Sequence, residues 1–149
     1  MNIIIAGDGE VGFHLAKMLE SERHEVTIVD PHSELLKMLE SHMDVMTIAG
    51  NSTSVRVLER ANIDKADLLI SVVHNEQVNI VTCLLGKKLG AKRTIARVNN
   101  VEYLAPHNVA RFKEWIIQSW ISGVLLSIVT GIRSFLPVMT ILSRVIWHM

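Results

Sequence analysis

The chain of 149 residues is long enough for one domain with a buried core and too short to add a second, catalytic domain. Its 15 basic and 15 acidic residues balance, so the charge gives no argument for a nucleic-acid partner. The single cysteine, Cys83, lies among apolar residues at helical spacing, which excludes a disulfide framework and favours a core thiol in a reducing compartment.

The opening residues predict a strand, a glycine-rich turn and a helix. Residues 2–6 are β-branched and apolar, as in a strand of a parallel sheet that is buried on both faces. Gly7, Gly9 and Gly12 follow, and apolar residues then recur at helical spacing from Val11. A strand that leads directly into a helix is the setting in which this glycine spacing indicates a dinucleotide site. Because the chain does not open on a basic, apolar signal segment, we expect a cytoplasmic protein.

Each glycine fits a specific part of phosphate binding. Gly7 permits the tight turn, the missing side chain of Gly9 lets a pyrophosphate approach the backbone, and Gly12 lets the helix pack closely on the strand. The helix amides and the positive end of its dipole then face the anion. No Gly-Lys-Ser/Thr sequence follows, which excludes a Walker-type loop. The candidate binding residues of this turn are Gly7, Asp8, Gly9, Glu10, Val11 and Gly12.

A second predicted strand, residues 25–30, ends in Asp30, about twenty residues beyond the glycines. A carboxylate there accepts hydrogen bonds from the adenosine ribose hydroxyls and repels the extra phosphate of NADP, so NAD or NADH is the expected ligand. Asp before Pro31 is also a common helix start. Asp30 therefore fits a ribose ligand and a helix cap, and the two roles are compatible.

The remaining pattern alternates helices and strands. It predicts helices at 31–42, 55–61 and 76–89, a segment at 101–114 that is helical after Pro106, and strands at 44–50, 67–73 and 93–98. Asn75 is the expected cap of the helix at 76–89, and Gly90 is its expected end. Such alternation predicts a Rossmann-like, doubly wound α/β fold with a parallel sheet and right-handed crossovers. We expect the strand order 3-2-1-4-5, with a ligand crevice outside the carboxyl ends of the first and fourth strands.

That topology places further residues at the rim of the crevice. His74 lies on a loop, where a histidine is more often solvated than catalytic. Arg97 lies within an apolar strand, where a charge needs a partner or a phosphate. The rim candidates are Asn51, Ser52, Thr53, Val73, His74, Asn75 and Arg97.

Several stretches together match a known family pattern: Met1 to Gly12, Val29-Asp30, Gly50-Asn-Ser-Thr, Ala66-Asp-Leu-Leu-Ile, Asn79-Ile, Leu89 to Arg97 and Glu102-Tyr103. They resemble the amino-terminal RCK (KTN) domain of TrkA-type potassium-uptake proteins. The resemblance covers about residues 1–114 and is more specific than the glycine motif alone.

The resemblance implies a regulatory role without catalysis. Members of the family bind NAD(H), and some bind ATP or ADP, in homo-oligomeric cytosolic assemblies, dimers or higher rings. These assemblies regulate a potassium-transporting membrane subunit of the TrkH type, so we expect a protein at the inner face of the cell membrane.

The same resemblance implies roles for individual positions. Gly7 to Val11 would bind the pyrophosphate, Asp30 the adenosine ribose, Val73 and His74 the nucleotide near the fourth strand, and Arg97 the far side of the pocket. The family usually has Asp where this chain has Asn51. The amide keeps a hydrogen-bond acceptor but drops the charge, which weakens the expectation of a contact there.

The composition changes at Trp115. Residues 115–149 contain no Asp or Glu, carry formal charge only at Arg133 and Arg144, and hold all three tryptophans. The family would continue into a further strand, a crossover helix and a second, smaller RCK domain, none of which is recognisable in this atypical apolar tail. Three explanations stay open: a truncation or altered reading frame, a genuine apolar crossover or dimer segment, and a membrane anchor.

Two functions of different classes fit these observations. The first is a regulatory module in which bound nucleotide favours one arrangement of paired domains and so biases a transporter gate. The second is a nicotinamide-dependent dehydrogenase, or the nucleotide-binding half of one. The chain offers no substrate domain and no convincing acid–base pair, so we expect that it is not an enzyme, although the fold alone could not separate the two.

Overall fold

The computed structural model describes residues 1–7, 9–100 and 102, together with the backbone of two strands at residues 116–121 and 124–128. The strands are β1 Asn2–Ala6, β2 Glu25–Asp30, β3 Met46–Ala49, β4 Leu68–Ser71, β5 Thr94–Val98, β6 Ile116–Ile121 and β7 Val124–Ile128. The helices are α1 Glu10–Ser21, α2 Ser33–His42, α3 Val55–Arg60 and α4 Glu76–Lys88, with a 3-10 turn at Ile63–Lys65.

The first five strands are all parallel and lie in the order β3-β2-β1-β4-β5, so the predicted Rossmann-like topology is confirmed. The sheet continues beyond this prediction. β6 pairs parallel to β5, and β7 pairs antiparallel to β6. No strand was predicted in this region from the sequence. The helix predicted after Pro106 lies outside the described residues.

Two apolar layers cover the sheet because successive strand residues point to opposite faces. On one face, Ile3, Ile5 and Ile28 pack with Leu15 of α1 and Leu36 of α2. On the other face, Ile4 and Val29 of the strands pack with Leu58 of α3 and Ile63 of the 3-10 turn. Both layers leave the carboxyl ends of the strands at one common edge.

Cys83 lies on the face of α4 that packs against the sheet, and it is buried as predicted. Burial raises the pKa of its thiol well above the ordinary cysteine value because a thiolate would lose its hydration there. The thiol therefore behaves as a small core residue. Within the described part of the chain, no helix is both long and apolar enough to cross a bilayer.

Candidate nucleotide-binding site

The turn after β1 has the backbone shape that the glycine spacing predicts. Gly7 has φ +115°, a conformation that residues with a side chain rarely adopt. Its amide donates to the Val29 carbonyl at 3.0 Å, which ties the turn to β2. A Cβ atom at Gly7 would lie only 3.1 Å from the amide nitrogen of Val73, so the turn also packs against the chain after β4.

Gly9 and Gly12 serve different purposes. A Cβ atom at Gly12 would overlap the carbonyl oxygen of Gly7, so only glycine lets α1 begin this close to the turn. A Cβ atom at Gly9 would meet nothing within 4 Å, so the space over the start of α1 is open. Gly9 is the N-cap and Glu10 and Val11 form the first turn of α1. Asp8 lies outside the described residues.

Asp30 ends β2 and is buried, at 3% exposure. Its Oδ1 atom accepts the backbone amide of His32 at 2.9 Å and lies 2.7 Å from His32 Nδ1. A carboxylate only accepts hydrogen bonds, so a proton on Nδ1 makes the second contact favourable. The N-cap of α2 is His32 rather than Asp30, so the helix begins two residues after Pro31. Asp30, at the end of β2, thus holds His32 in place at the start of α2.

The loop after β3 lies beside Asp30 because the Gly50 amide donates to the Asp30 carbonyl at 2.9 Å. Asn51 Oδ1 accepts from the amide of Thr53 at 2.9 Å and from its hydroxyl at 2.8 Å. The hydroxyl of Ser52 is buried, 3.0 Å from that of Thr82 on α4. The side chains of Asn51 and Ser52 therefore hold the shape of the loop.

The loop after β4 is also held by side chains. Asn75 caps α4 as predicted, accepting from the amides of Gln77 at 2.9 Å and Val78 at 3.2 Å. Val73 donates its amide to Asn79 Oδ1 at 2.9 Å, and its carbonyl accepts from Asn79 Nδ2 at 2.8 Å. His74, between these anchored residues, is exposed.

Arg97 lies near the carboxyl end of β5 and is half-buried. Ile95, two residues earlier, packs in the layer of α1 and α2, so strand alternation directs the Arg97 side chain to that face. The Nε atom of Arg97 is buried without a hydrogen-bond partner among the described residues. An unpaired buried donor costs about 1–3 kcal/mol, and an anionic group at this position would remove that cost.

Parallel pairing brings the five loops together at one edge of the sheet. That edge combines an open helix N-terminus, a buried carboxylate and a guanidinium whose Nε has no partner among the described residues. This combination suits an elongated anion that carries hydroxyl groups. Within the described segments, no group of three or more His, Cys, Asp or Glu side chains is placed to hold a metal ion.

The model of the TrkA-N domain matches residues 3–118. The chain belongs to the TrkA-N domain family. The family resemblance inferred from the motifs is therefore confirmed. The matched range ends within β6, past residue 114, where the sequence analysis placed the end of the domain.

Relatives of this TrkA-N chain carry the name of a potassium-uptake protein. A Trk system potassium uptake protein TrkA homolog from Archaeoglobus fulgidus is 41% identical over 104 residues, covering 70% of this chain and 23% of the relative. A homolog of the same name from Methanothermobacter thermautotrophicus is 34% identical over 103 residues, covering 69% of this chain and 48% of the relative. The chain thus spans at most about half the length of these relatives.

Solved structures share the TrkA-N fold at lower identity. The TrkA-N domain of the inner membrane protein ybaL from Escherichia coli has a TM-score of 0.69 at 17% identity, covering 95% of both chains. The GsuK channel bound to NAD has a TM-score of 0.62 at 24% identity, covering 68% of this chain and 18% of the channel. ChuY, an anaerobilin reductase from E. coli O157:H7, has a TM-score of 0.56 at 18% identity, covering 75% and 60%.

Two residues that hold the loops of the candidate site were not among the residues predicted from the sequence. Asn79, buried on α4, makes four hydrogen bonds: its Oδ1 accepts from Ser71 and Val73, and its Nδ2 donates to the carbonyls of Val73 and Arg97. Glu76 accepts the amides of Asn99 and Asn100. The only sequence signal was the place of Asn79 in the family pattern, since neither residue stands at a strand end.

Proposed function

We propose that this chain is an NAD(H)-binding regulatory domain of a potassium-uptake system. The observation that carries the proposal is the shared edge of the Gly7 turn, the Asp30 carboxylate and the buried Nε of Arg97, which has no partner among the residues that the structure describes. The names of its relatives supply the transport context. The nucleotide would regulate transport and would not be consumed.

The binding mode follows the spacing of these groups along the edge. The pyrophosphate would lie over Gly9 against the start of α1, where the open space and the helix dipole favour an anion. The carboxylate of Asp30 would accept the adenosine ribose hydroxyls. Arg97 would contact the distal part of the nucleotide through Nε, and Asn51 to Thr53 and Val73 to Asn75 would line its sides.

The choice of ligand is supported by a structural neighbour. The GsuK channel has been solved bound to NAD and bound to ADP, and its RCK domain shares this fold. NAD or NADH is the ligand that best uses the whole edge, from Asp30 to Arg97. ADP and ATP would use the adenosine half and the phosphate groups, so they are the competing ligands to measure.

The regulatory mechanism would be a shift between two arrangements of paired domains. Bound nucleotide must contact the two arrangements differently, because a ligand with equal affinity for both shifts nothing. We expect a homo-oligomer, a dimer or a higher ring, on the cytoplasmic face of the membrane, acting on a TrkH-type potassium-transporting subunit.

A dehydrogenase half is the alternative, because an enzyme such as ChuY shares the fold. Family membership favours the regulatory role. Hydride transfer to a small carbonyl compound at enzymatic rates, followed as loss of NADH absorbance, would reverse that preference.

The proposal is tested by titration calorimetry of purified protein with NADH, NAD, NADPH, ADP and ATP. NADH and NAD should bind, and NADPH should bind about tenfold more weakly, or 1.4 kcal/mol, because Asp30 repels the extra phosphate. Asp30→Asn keeps the size of the side chain and should narrow that difference. Glu59→Gln, the same change of charge at an exposed site on α3, is the matched control. Absence of heat with all five nucleotides from folded protein would refute the proposal.

A further inference from the structure

Two side chains on the first turns of α4 connect the nucleotide edge to the chain that follows β5. Asn79 donates Nδ2 to the carbonyl of Arg97 at 2.9 Å. Glu76 accepts with one oxygen, Oε2, the amides of Asn99 at 2.9 Å and Asn100 at 3.0 Å. Residues three apart on a helix lie on the same side, so one face of α4 holds both ends of the segment 97–100.

Asn79 also fixes the opposite side of the site. Its oxygen accepts from the hydroxyl of Ser71 at 2.8 Å and the amide of Val73 at 2.9 Å, and its nitrogen donates to the Val73 carbonyl at 2.8 Å. All four positions that a side-chain amide offers are therefore used, two as acceptor and two as donor. The chain beside the Gly7 turn and the end of β5 cannot move independently without breaking a buried hydrogen bond.

We propose that Glu76 and Asn79 are positioning residues that transmit nucleotide occupancy to the chain leaving the sheet at residues 98–100. The inference rests on the proposed function, since it requires a nucleotide at Arg97. An anionic group that accepts from Arg97 Nε forms a charge-assisted hydrogen bond with the Arg97 side chain. The backbone carbonyl of the same residue accepts from Asn79. The next fixed points along the chain are the Asn99 and Asn100 amides on Glu76.

Strand pairing and hydrogen bonds restrict how the backbone around Arg97 can move. On the amino side of Arg97, the backbone is paired with β4 on one edge and β6 on the other. The pairing with β6 continues through Arg97 and Val98. Beyond Val98, the amides of Asn99 and Asn100 donate to Glu76, and Asn100 Oδ1 in turn accepts the amide of Glu102 at 2.9 Å. Arg97 is therefore linked to residues 99 and 100 through Asn79 and Glu76 of α4 as well as along the backbone.

Glu76 offers the sharper test because it is half-buried, whereas loss of the buried Asn79 would also reduce stability. Three variants are compared with wild type: Glu76→Ala removes the acceptor, Glu76→Gln keeps one, and Glu59→Ala removes an exposed glutamate from α3. The amide signals of Asn99 and Asn100 are followed by NMR while NADH is titrated, and NADH affinity is measured in parallel by calorimetry.

In wild type, NADH should shift the Asn99 and Asn100 signals and slow the exchange of these amides with solvent. Glu76→Ala should lose this response while its NADH affinity falls less than about tenfold. Glu76→Gln and Glu59→Ala should keep it. If Glu76 were only structural, the NADH-dependent shift would persist in Glu76→Ala. That result would overturn the inference but not the proposed function. Wild-type protein that does not bind NADH would overturn the inference and the proposed function together.

Discussion

The half of the site built from β1 and β2 presents main-chain atoms and one carboxylate, whereas the half built from β4, α4 and β5 is organised by side chains. In the first half, Gly7, Gly9 and Gly12 leave the start of α1 open. In the second half, the side chains of Asn75 and Asn79 form hydrogen bonds to loops and strand ends, and the buried Nε of Arg97 has no partner in the part of the chain that the structure describes. The polar side chains of the second half thus hold the shape of the candidate site.

The glycine half gives the largest expected effect. Gly12→Ala should lower the free energy of unfolding by about 3 kcal/mol or more, because its Cβ would overlap the Gly7 carbonyl and displace α1. Gly9→Ala is the matched control. Gly9 has φ −60° and ψ 178°, which alanine adopts readily, so its stability should change by no more than about 1 kcal/mol.

Nucleotide binding should separate these two glycine variants further. Gly9→Ala should weaken NADH binding more than about tenfold while the protein stays folded, because the new methyl group occupies the space for the pyrophosphate. Urea unfolding and calorimetry on the same samples provide both quantities. Equal stability of Gly12→Ala and wild type would show that α1 does not need its close approach to the turn.

The asparagine network of the other half gives the next effect. Asn79→Ala should cost about 2–4 kcal/mol of unfolding free energy, because it leaves buried donors and acceptors on Ser71, Val73 and Arg97 unpaired. Asn79→Asp keeps the two acceptor contacts but turns a second oxygen towards two carbonyls. It should therefore be no more stable than the alanine variant at neutral pH. Full stability of Asn79→Asp in urea unfolding would contradict the assigned orientation of the amide.

The parts of the molecule that could be predicted are those with local signals. Short apolar runs predicted five strands, and the alternation of strands with helices predicted their order. The glycines predicted the turn because Gly7 adopts a backbone conformation that residues with a side chain rarely adopt. The hydrogen bonds of Asn79 join residues 6 and 18 positions away, which no local pattern reveals. Ser52 likewise looked like a rim ligand, yet its hydroxyl meets Thr82 on α4. β6 and β7 were missed because a short apolar run fits a strand and a buried helix equally well.

Asn75 tests whether a polar residue at the rim holds the loop or the ligand. Asn75→Ala should reduce the unfolding free energy by about 1 kcal/mol, because the amides of Gln77 and Val78 lose their cap. Asn75→Asp, which keeps a capping oxygen, should restore most of it. NADH affinity should change little in either variant. Loss of affinity at unchanged stability would instead identify Asn75 as a ligand contact.

The smallest effect is expected at the amino ends of the strands, where Asp67 precedes β4. A hydrogen bond from Lys92 Nζ at 2.7 Å, and then one from the Asn2 amide at 2.9 Å, lower the pKa of the Asp67 carboxyl. A carboxyl whose pKa is depressed by folding stabilises the protein above its unfolded pKa, and that contribution is lost as the pH falls through the folded pKa.

Lys92→Met should therefore be slightly less stable than wild type near neutral pH, and the difference should shrink as the pH approaches about 3. The side chain of Lys92 is 70% exposed, so salt should also reduce the difference. Urea unfolding at both pH values measures it. Because this ion pair lies at the amino ends of the strands, away from the Gly7 turn, NADH affinity should stay unchanged. A fall in affinity would mean that the amino and carboxyl ends of the strands are coupled through β4. Nucleotide binding would then depend on residues outside both halves of the site.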